Sequence, residues 1–436
     1  MKKFFSNMDF GISNFRFVVM ATVFLTSGSV FFSPYTISVD GFSYLKSSEV
    51  LFSNDFAAFY TWVREPGYPL FLRFFEDVGG LLLVFFIQGL FVAFGILATI
   101  LAVYRILKID SVSWKTFVSA GIAIVLVAGY ASTILQQATL VALFGLLMVI
   151  ISRIVTKKEI DWFTGVLVFV LLLLSTLTAV FIGLAFGLAL FATLVFSGVF
   201  NIKLLVSYSV LSILAFALVM IPWSQIKSSE APVGAPDAIE MGAFNTGSTL
   251  NNFNPEKEFY EALLTQASLL NLGGEFPPIS GLGVANENRI FGTPTYSHDH
   301  VCGRFLTGQD PDTLWGEIET TYTDRCVPFR TLDLISFANR VAQFFYPLTG
   351  VALLVTLVLS ISFRSHLRPI ILPAFLITLP YIVMDASISR YGALIVPLGA
   401  ILMVELLAPK DLLRELSLGK SSSIEANLEQ PQAKAN

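Results

Sequence analysis

Charge is scarce in this chain. Only 13% of its 436 residues are Asp, Glu, Lys or Arg, against about 25% in a soluble globular protein. Hydrophobic residues make up 55%, and the mean hydropathy is +0.74. One water-soluble core cannot hide so much apolar surface, so the solvent implied is a bilayer. The net charge of −4 leaves no basic footprint for nucleic acid, and none is expected as a partner. No Walker loop and no dinucleotide fingerprint occurs, which argues against a nucleotide site. No Asn-x-Ser/Thr acceptor occurs either, which favours a bacterial or archaeal membrane over a eukaryotic secretory one. Cysteine is limited to Cys302 and Cys326.

Long apolar runs are what the chain has instead. A span needs roughly 20 apolar residues. The candidates are Phe15 to Phe32, Gly80 to Tyr104, Thr116 to Ser132, Ala138 to Val155 and Trp162 to Ala179. They continue with Ile182 to Phe200, Leu204 to Ile221, Val341 to Ser362, Ile370 to Met384 and Tyr391 to Ala408. The fold class expected is therefore an all-α polytopic membrane protein with about ten transmembrane helices. A small mixed extracytoplasmic domain lies between the seventh and the eighth.

Lys and Arg concentrate in cytoplasmic loops, and here they occupy alternate connections. Lys2, Lys3 and Arg16 open the series, followed by Arg105, Lys108 and Lys115, then Arg153, Lys157 and Lys158. Lys203 comes next, then Arg364 and Arg368, and finally Lys410 and Arg414. The intervening loops are acidic: Tyr35 to Gly79 has three basic and six acidic residues, and Trp223 to Arg340 has seven and fifteen. Ten spans with both termini inside satisfy every loop. The first span is too long, and lacks a clear small-residue cleavage site, for a signal peptide. The divisions expected are a membrane module over 1–222 with its first outside loop at 34–79, an extracytoplasmic domain over 223–340, C-terminal helices over 341–408, and a disordered tail over 409–436. The site of residence is the inner (plasma) membrane.

The first outside loop holds the densest chemistry. Asp40 lies just beyond the first span, and Phe42, Leu45 and Phe52 follow near helical spacing, as in a helix lying in the membrane interface. Arg64 and Glu65 precede Pro66-Gly67-Tyr68-Pro69, where two prolines and a glycine predict a sharp, stiff turn. Near the last span stand Arg390 and Tyr391, with Asp385 close by. Each has a plain alternative: Asp40 suits a helix N-cap, Arg64 a lipid headgroup or Glu65, and Arg390 an interfacial ion pair.

The stretch Arg64 to Leu72 (REPGYPLFL), with Asp40 upstream, resembles the GT-C class of membrane glycosyltransferases, which use polyprenyl-phosphate sugars. Protein O-mannosyltransferases and bacterial lipid A aminoarabinose transferases belong to it. Those proteins carry an acid just after the first helix, and many bacterial members show R-x-P-G-Y-P-L-F-L before the second. Pro222-Trp223 and Arg390-Tyr391 with Pro397 fit the pattern too. The resemblance covers most of Phe15 to Trp223 and the last two spans, but not the outside domain. Many relatives also carry an arginine near the fifth and sixth spans, whereas Ser175 to Gly183 (STLTAVFIG) has none.

The resemblance implies transfer of one sugar, with inversion, to an acceptor at the extracytoplasmic face. Asp40 would be the general base. Arg390, with Arg64, would hold the donor phosphate, while Glu65, Tyr68 and Tyr391 complete the substrate-binding set. The partners implied are a polyprenyl-phosphate sugar, a glycan, lipid or protein acceptor, and membrane lipids. No cofactor is assigned with certainty, and a divalent metal stays open. His298, His300 and Cys302, with Cys326, offer zinc-type ligands. A Cys302–Cys326 disulfide in an oxidising compartment is the simpler reading, so no metal site is assigned. An O-antigen polymerase or ligase using pyrophosphate-linked glycans would place its essential residues in 223–340. A lipid-linked glycan transporter would need ionisable residues within the spans, which contain almost none.

Overall fold

The computed structural model describes residues 12–28, 44–45, 47–49, 51, 65–109, 113–128, 130–132, 136–157, 161–198, 202–229, 345, 348–362, 367–377 and 394–408. Among them there are helices and no strands. In chain order the longer helices are α1 (Ile12–Gly28), α2 (Gly67–Leu107), α3 (Trp114–Val127), α4 (Gln137–Lys157), α5 (Trp162–Thr178), α6 (Val180–Phe196) and α7 (Ile202–Ser229), then α8 (Leu348–Ser362), α9 (Arg368–Leu376) and α10 (Val396–Leu407). A short 3₁₀ turn, Tyr130–Ser132, follows α3. Each predicted apolar segment overlaps one of these helices. Among the described residues, three stretches are long and apolar enough to cross a membrane: Gly67–Leu107, Gln137–Lys157 and Val206–Ile226.

Two expected boundaries move. The seventh helix does not stop at Ile221 but runs through Pro222 to Ser229. The second helix begins at Gly67 rather than Gly80, yet Gly80 still marks a joint. Gly79 (φ −152, ψ 16) and Gly80 (φ 69, ψ −177) leave helical geometry, and Gly80 occupies a region of backbone space that is essentially glycine-only. The chain reverses there. In a straight helix Tyr68 and Gln88 would stand about 30 Å apart, but Tyr68 Oη donates to Gln88 Oε1 at 2.5 Å. The Phe71 and Phe91 rings likewise lie 5.5 Å apart. So α2 has two arms, and the first, residues 67–78, folds back along the second. Part of the expected 34–79 loop is thus a helix.

The second arm of α2 and α4 form the centre of the bundle. A Cβ on Gly95 would lie 2.4 Å from Val141 O, and one on Gly145 would lie 2.7 Å from Gly95 Cα. Without bulky side chains the two backbones approach closely, the usual way in which helices pack where no hydrophobic effect drives them together. The order of these contacts makes α2 and α4 parallel. Around this pair, α1 packs on α2, α3 on α2 and α10, α5 on α4 and α6, α7 on α5, and α9 on α6. Large apolar side chains face outward from α1 (Phe17, Met20, Phe24) and from α7 (Val206, Val210, Ile213). In water such faces would be a liability; against lipid tails they are the expected surface.

One end of the bundle gathers the basic residues. Arg153 and Lys157, in the last turns of α4, meet Asp161 at 2.9 and 2.6 Å. Asp161 caps α5 through Thr164 N, 2.8 Å away. Its carboxyl is held well below the usual range, first by the Lys157 hydrogen bond and then by those from Thr164. Arg368 donates to Ser360 O and Ile361 O at 2.8 and 2.5 Å, closing the C-terminal turn of α8. Lys115 at the start of α3 meets Glu405 near the end of α10 at 2.8 Å. The Lys/Arg pattern predicts that this end is cytoplasmic. Single cysteines at Ser53 and Ser422, in a chain lacking the native pair, are then expected to react with an impermeant thiol reagent from opposite sides. Labelling of both from one side would overturn the ten-span topology.

Candidate functional site

The opposite rim of the bundle is built around Pro66, Gly67 and Tyr68. Pro66 (φ −72, ψ −20) precedes the first helical residue, and its carbonyl accepts from Leu70 N at 2.8 Å. Pro69 falls in the first helical turn, where a missing N–H leaves no intrahelical bond unmade. The expected sharp turn at Pro66–Pro69 is therefore the start of a helix, and the reversal comes at Gly79–Gly80. Both prolines sit where a helix tolerates them, which is why the composition reads as a turn and the backbone does not. Glu65, half-buried, stands just before this start.

Gly67 fits against the junction of α5 and α6. A Cβ there would lie 2.5 Å from Leu177 O and 2.9 Å from Thr178 N. That junction is a single extended residue, Ala179 (φ −164, ψ 131). It lies in STLTAVFIG, residues 175–183. Its hydroxyls bond back onto their own helix: Thr176 Oγ1 donates to Leu172 O at 2.7 Å, and Thr178 Oγ1 to Leu174 O at 2.8 Å. Gly67→Ala is expected to force this backbone contact apart. The cost should be about 1–3 kcal/mol, as for other overpacked sites, and should appear as a lower melting temperature of the purified protein. An unchanged melting temperature would mean that the rim can shift freely.

Tyr68 is 1% exposed. Its ring stacks on Phe71, with centroids 5.7 Å apart, and meets Tyr44 edge-on at 4.9 Å. Gln88 accepts its hydroxyl hydrogen and donates to Ala131 O at 3.0 Å, tying the first arm of α2 to the 3₁₀ turn. Residues 44–45 and 47–49 are helical, in agreement with the helix expected in the first outside loop. Tyr44 and Leu45 are buried with Tyr68, Leu72, Val84 and Phe85. Ser48 Oγ donates to Leu45 O at 2.7 Å. This stretch packs on the motif, as one wall of the rim.

The structure thus brings Tyr68 together with the segment that follows Asp40, and Glu65 precedes Tyr68 by three residues. Asp40, Arg64, Arg390, Tyr391, Cys302 and Cys326 lie outside the described residues, as do Phe42, Phe52 and all of 230–344. Sequence reasoning missed Gln88, although it is the one amide between Gly80 and Tyr104. A lone amide in an apolar span needs a partner, and that was the available signal. No protein-family model matches the chain, and no curated protein and no solved structure shows significant similarity to it.

Proposed function

We propose that this chain is an integral membrane glycosyltransferase of the GT-C type, with ten spans and an extracytoplasmic domain over 223–340. It moves one sugar from a polyprenyl-phosphate donor to an acceptor hydroxyl on the extracytoplasmic face. The acceptor oxygen attacks the anomeric carbon, and its proton passes to Asp40. The bond from that carbon to the phosphate oxygen breaks, and polyprenyl phosphate leaves with the electron pair. Arg390 and Arg64 stabilise the charge that develops on it. The carrier lipid delivers the activated sugar, so no nucleotide is needed.

One observation carries the reading: the REPGYPLFL helix start and the segment after Asp40 pack together on one rim, at the end opposite the basic side chains. Asp40 is four residues before Tyr44, a tether of at most about 14 Å. Arg64 is two residues before Pro66. A base and a phosphate clamp on those tethers would face the same small volume.

The test is a comparison of envelope glycans from a deletion strain and its parent by mass spectrometry. The expected result is one glycan, glycolipid or glycoprotein lacking a single sugar. Loss of polymer length instead of one sugar would favour the polymerase reading, and an unchanged glycan set would refute transfer.

A further inference from the structure

Beneath Tyr68, the rim holds buried polar oxygens that have no hydrogen-bond partner among the described residues. Ser27, at the end of α1, is 2% exposed, and its Oγ has no hydrogen-bond partner. It crosses α2 beside Gln88: a Cβ on Gly89 would lie 2.9 Å from Ser27 Oγ. Gln136 and Gln137, at the start of α4, are 7% and 3% exposed, and the Oε1 of each is likewise unpartnered. Gln137 is one turn before Val141, on the same face of α4. Val141 packs on Gly95, which shares a face of α2 with Gln88 two turns away. Parallel α2 and α4 therefore put Gln137 near the level of Gln88, and Ser27 on the adjoining side.

Orphaned oxygens at the mouth of an apolar bundle are unfavourable unless a partner arrives. The partner must bring hydrogen-bond donors, because a glutamine Oε1 only accepts. An ionised phosphate brings none, and Arg73, the basic residue on the first arm of α2, is exposed and paired with Asp77 at 2.9 Å. Hydroxyl groups fit on both counts. They donate to Ser27 Oγ and the two Oε1 atoms, and they can accept from the first N–H groups of α4, which have no intrahelical acceptor.

We propose that Ser27, Gln136 and Gln137 form a subsite for an uncharged, polyhydroxylated headgroup, a sugar, held under Tyr68 by side chains that carry no charge. The proposal deepens the glycosyltransferase reading, on which it rests for the identity of the sugar's carrier, but binding can be read without transfer.

Purified full-length protein in a sugar-free detergent is titrated with decyl glucoside, galactoside and mannoside, and with decyl phosphate, and followed by native mass spectrometry. At least one glycoside is expected to bind the wild type. Gln137→Leu and Ser27→Ala are each expected to weaken that glycoside about tenfold and to leave decyl phosphate unchanged, as loss of a hydrogen bond worth about 1.4 kcal/mol implies. Neither should lower the melting temperature, since each removes an unsatisfied buried group. Failure of the wild type to bind any glycoside, or equal binding by the variants, overturns the subsite. Parallel loss of decyl phosphate overturns it too. Glycoside binding as described, with glycans of the deletion strain unchanged, would sink the transfer reading and leave the subsite standing.

Discussion

Asp40→Asn is expected to slow single-turnover sugar transfer by roughly 10²–10⁴-fold, the range for loss of a general base. The substitution keeps the size of the side chain, and Asn caps a helix as well as Asp does. The helical residues 44–45 and 47–49 and their packing on Tyr68 should therefore persist. Donor binding should barely change, because the carboxylate acts on the acceptor. Arg390→Ala should differ by weakening donor binding as well as slowing the reaction. Arg390→Lys should rescue only in part, since a point charge cannot reproduce the planar fork of a guanidinium. Folded yield, donor affinity and single-turnover rate, measured on the same preparations, separate these outcomes. A well-folded Asp40→Asn protein with near-normal transfer would leave Asp40 as a helix cap and remove the base from the mechanism.

The second large effect is on stability. Lys115 and Glu405 meet at 2.8 Å with side chains only 10% and 1% exposed, and they join α3 to α10. Removing one partner strands the other charge in an apolar surrounding, which costs about 3–5 kcal/mol in buried pairs. Glu405→Ala and Lys115→Ala are each expected to lower the denaturation midpoint by that equivalent. The double variant Lys115→Met with Glu405→Leu should recover most of the loss, because well-packed apolar side chains can replace a buried pair at little cost. If the two single variants behave like the wild type, the pair is solvated and the contact between α3 and α10 rests on packing alone.

The two cases show what the sequence disclosed and what it withheld. Helices were legible because apolar runs near the length of a span admit little else, and each run overlaps a helix in the described structure. Boundaries were less so. Pro222 looks like an end, but one proline within α7 does not stop it. Pro66 and Pro69 look like a turn, but the start of a helix accepts both. The motif itself was legible, and so was the helix after Asp40. What the motif touches was not, because the Leu177 carbonyl meets it through the backbone, and the Tyr130–Ser132 turn is tied to it through Gln88 by a backbone carbonyl that no residue type announces. Lys115 read as a loop charge, and nothing in the sequence marks Glu405, within the last predicted span, as its partner. Only a fold that sets the third and the last helices side by side makes them a pair.

The two-armed shape of α2 has a mechanical consequence. From Gly80 to Gly67 the first arm is a rod of about 20 Å, pivoting at its far end on two residues without side chains. A rotation of about 10° there would carry the motif some 3–4 Å, as much as separates a bound reactant from its attacking group. A pivot so free needs a bolt at the tip. Tyr68 and Gln88 supply it from opposite arms, with the Leu177 backbone as the stop. The alignment of the rim is thus set at the end of the lever where displacement is greatest, and where one hydrogen bond has the most leverage.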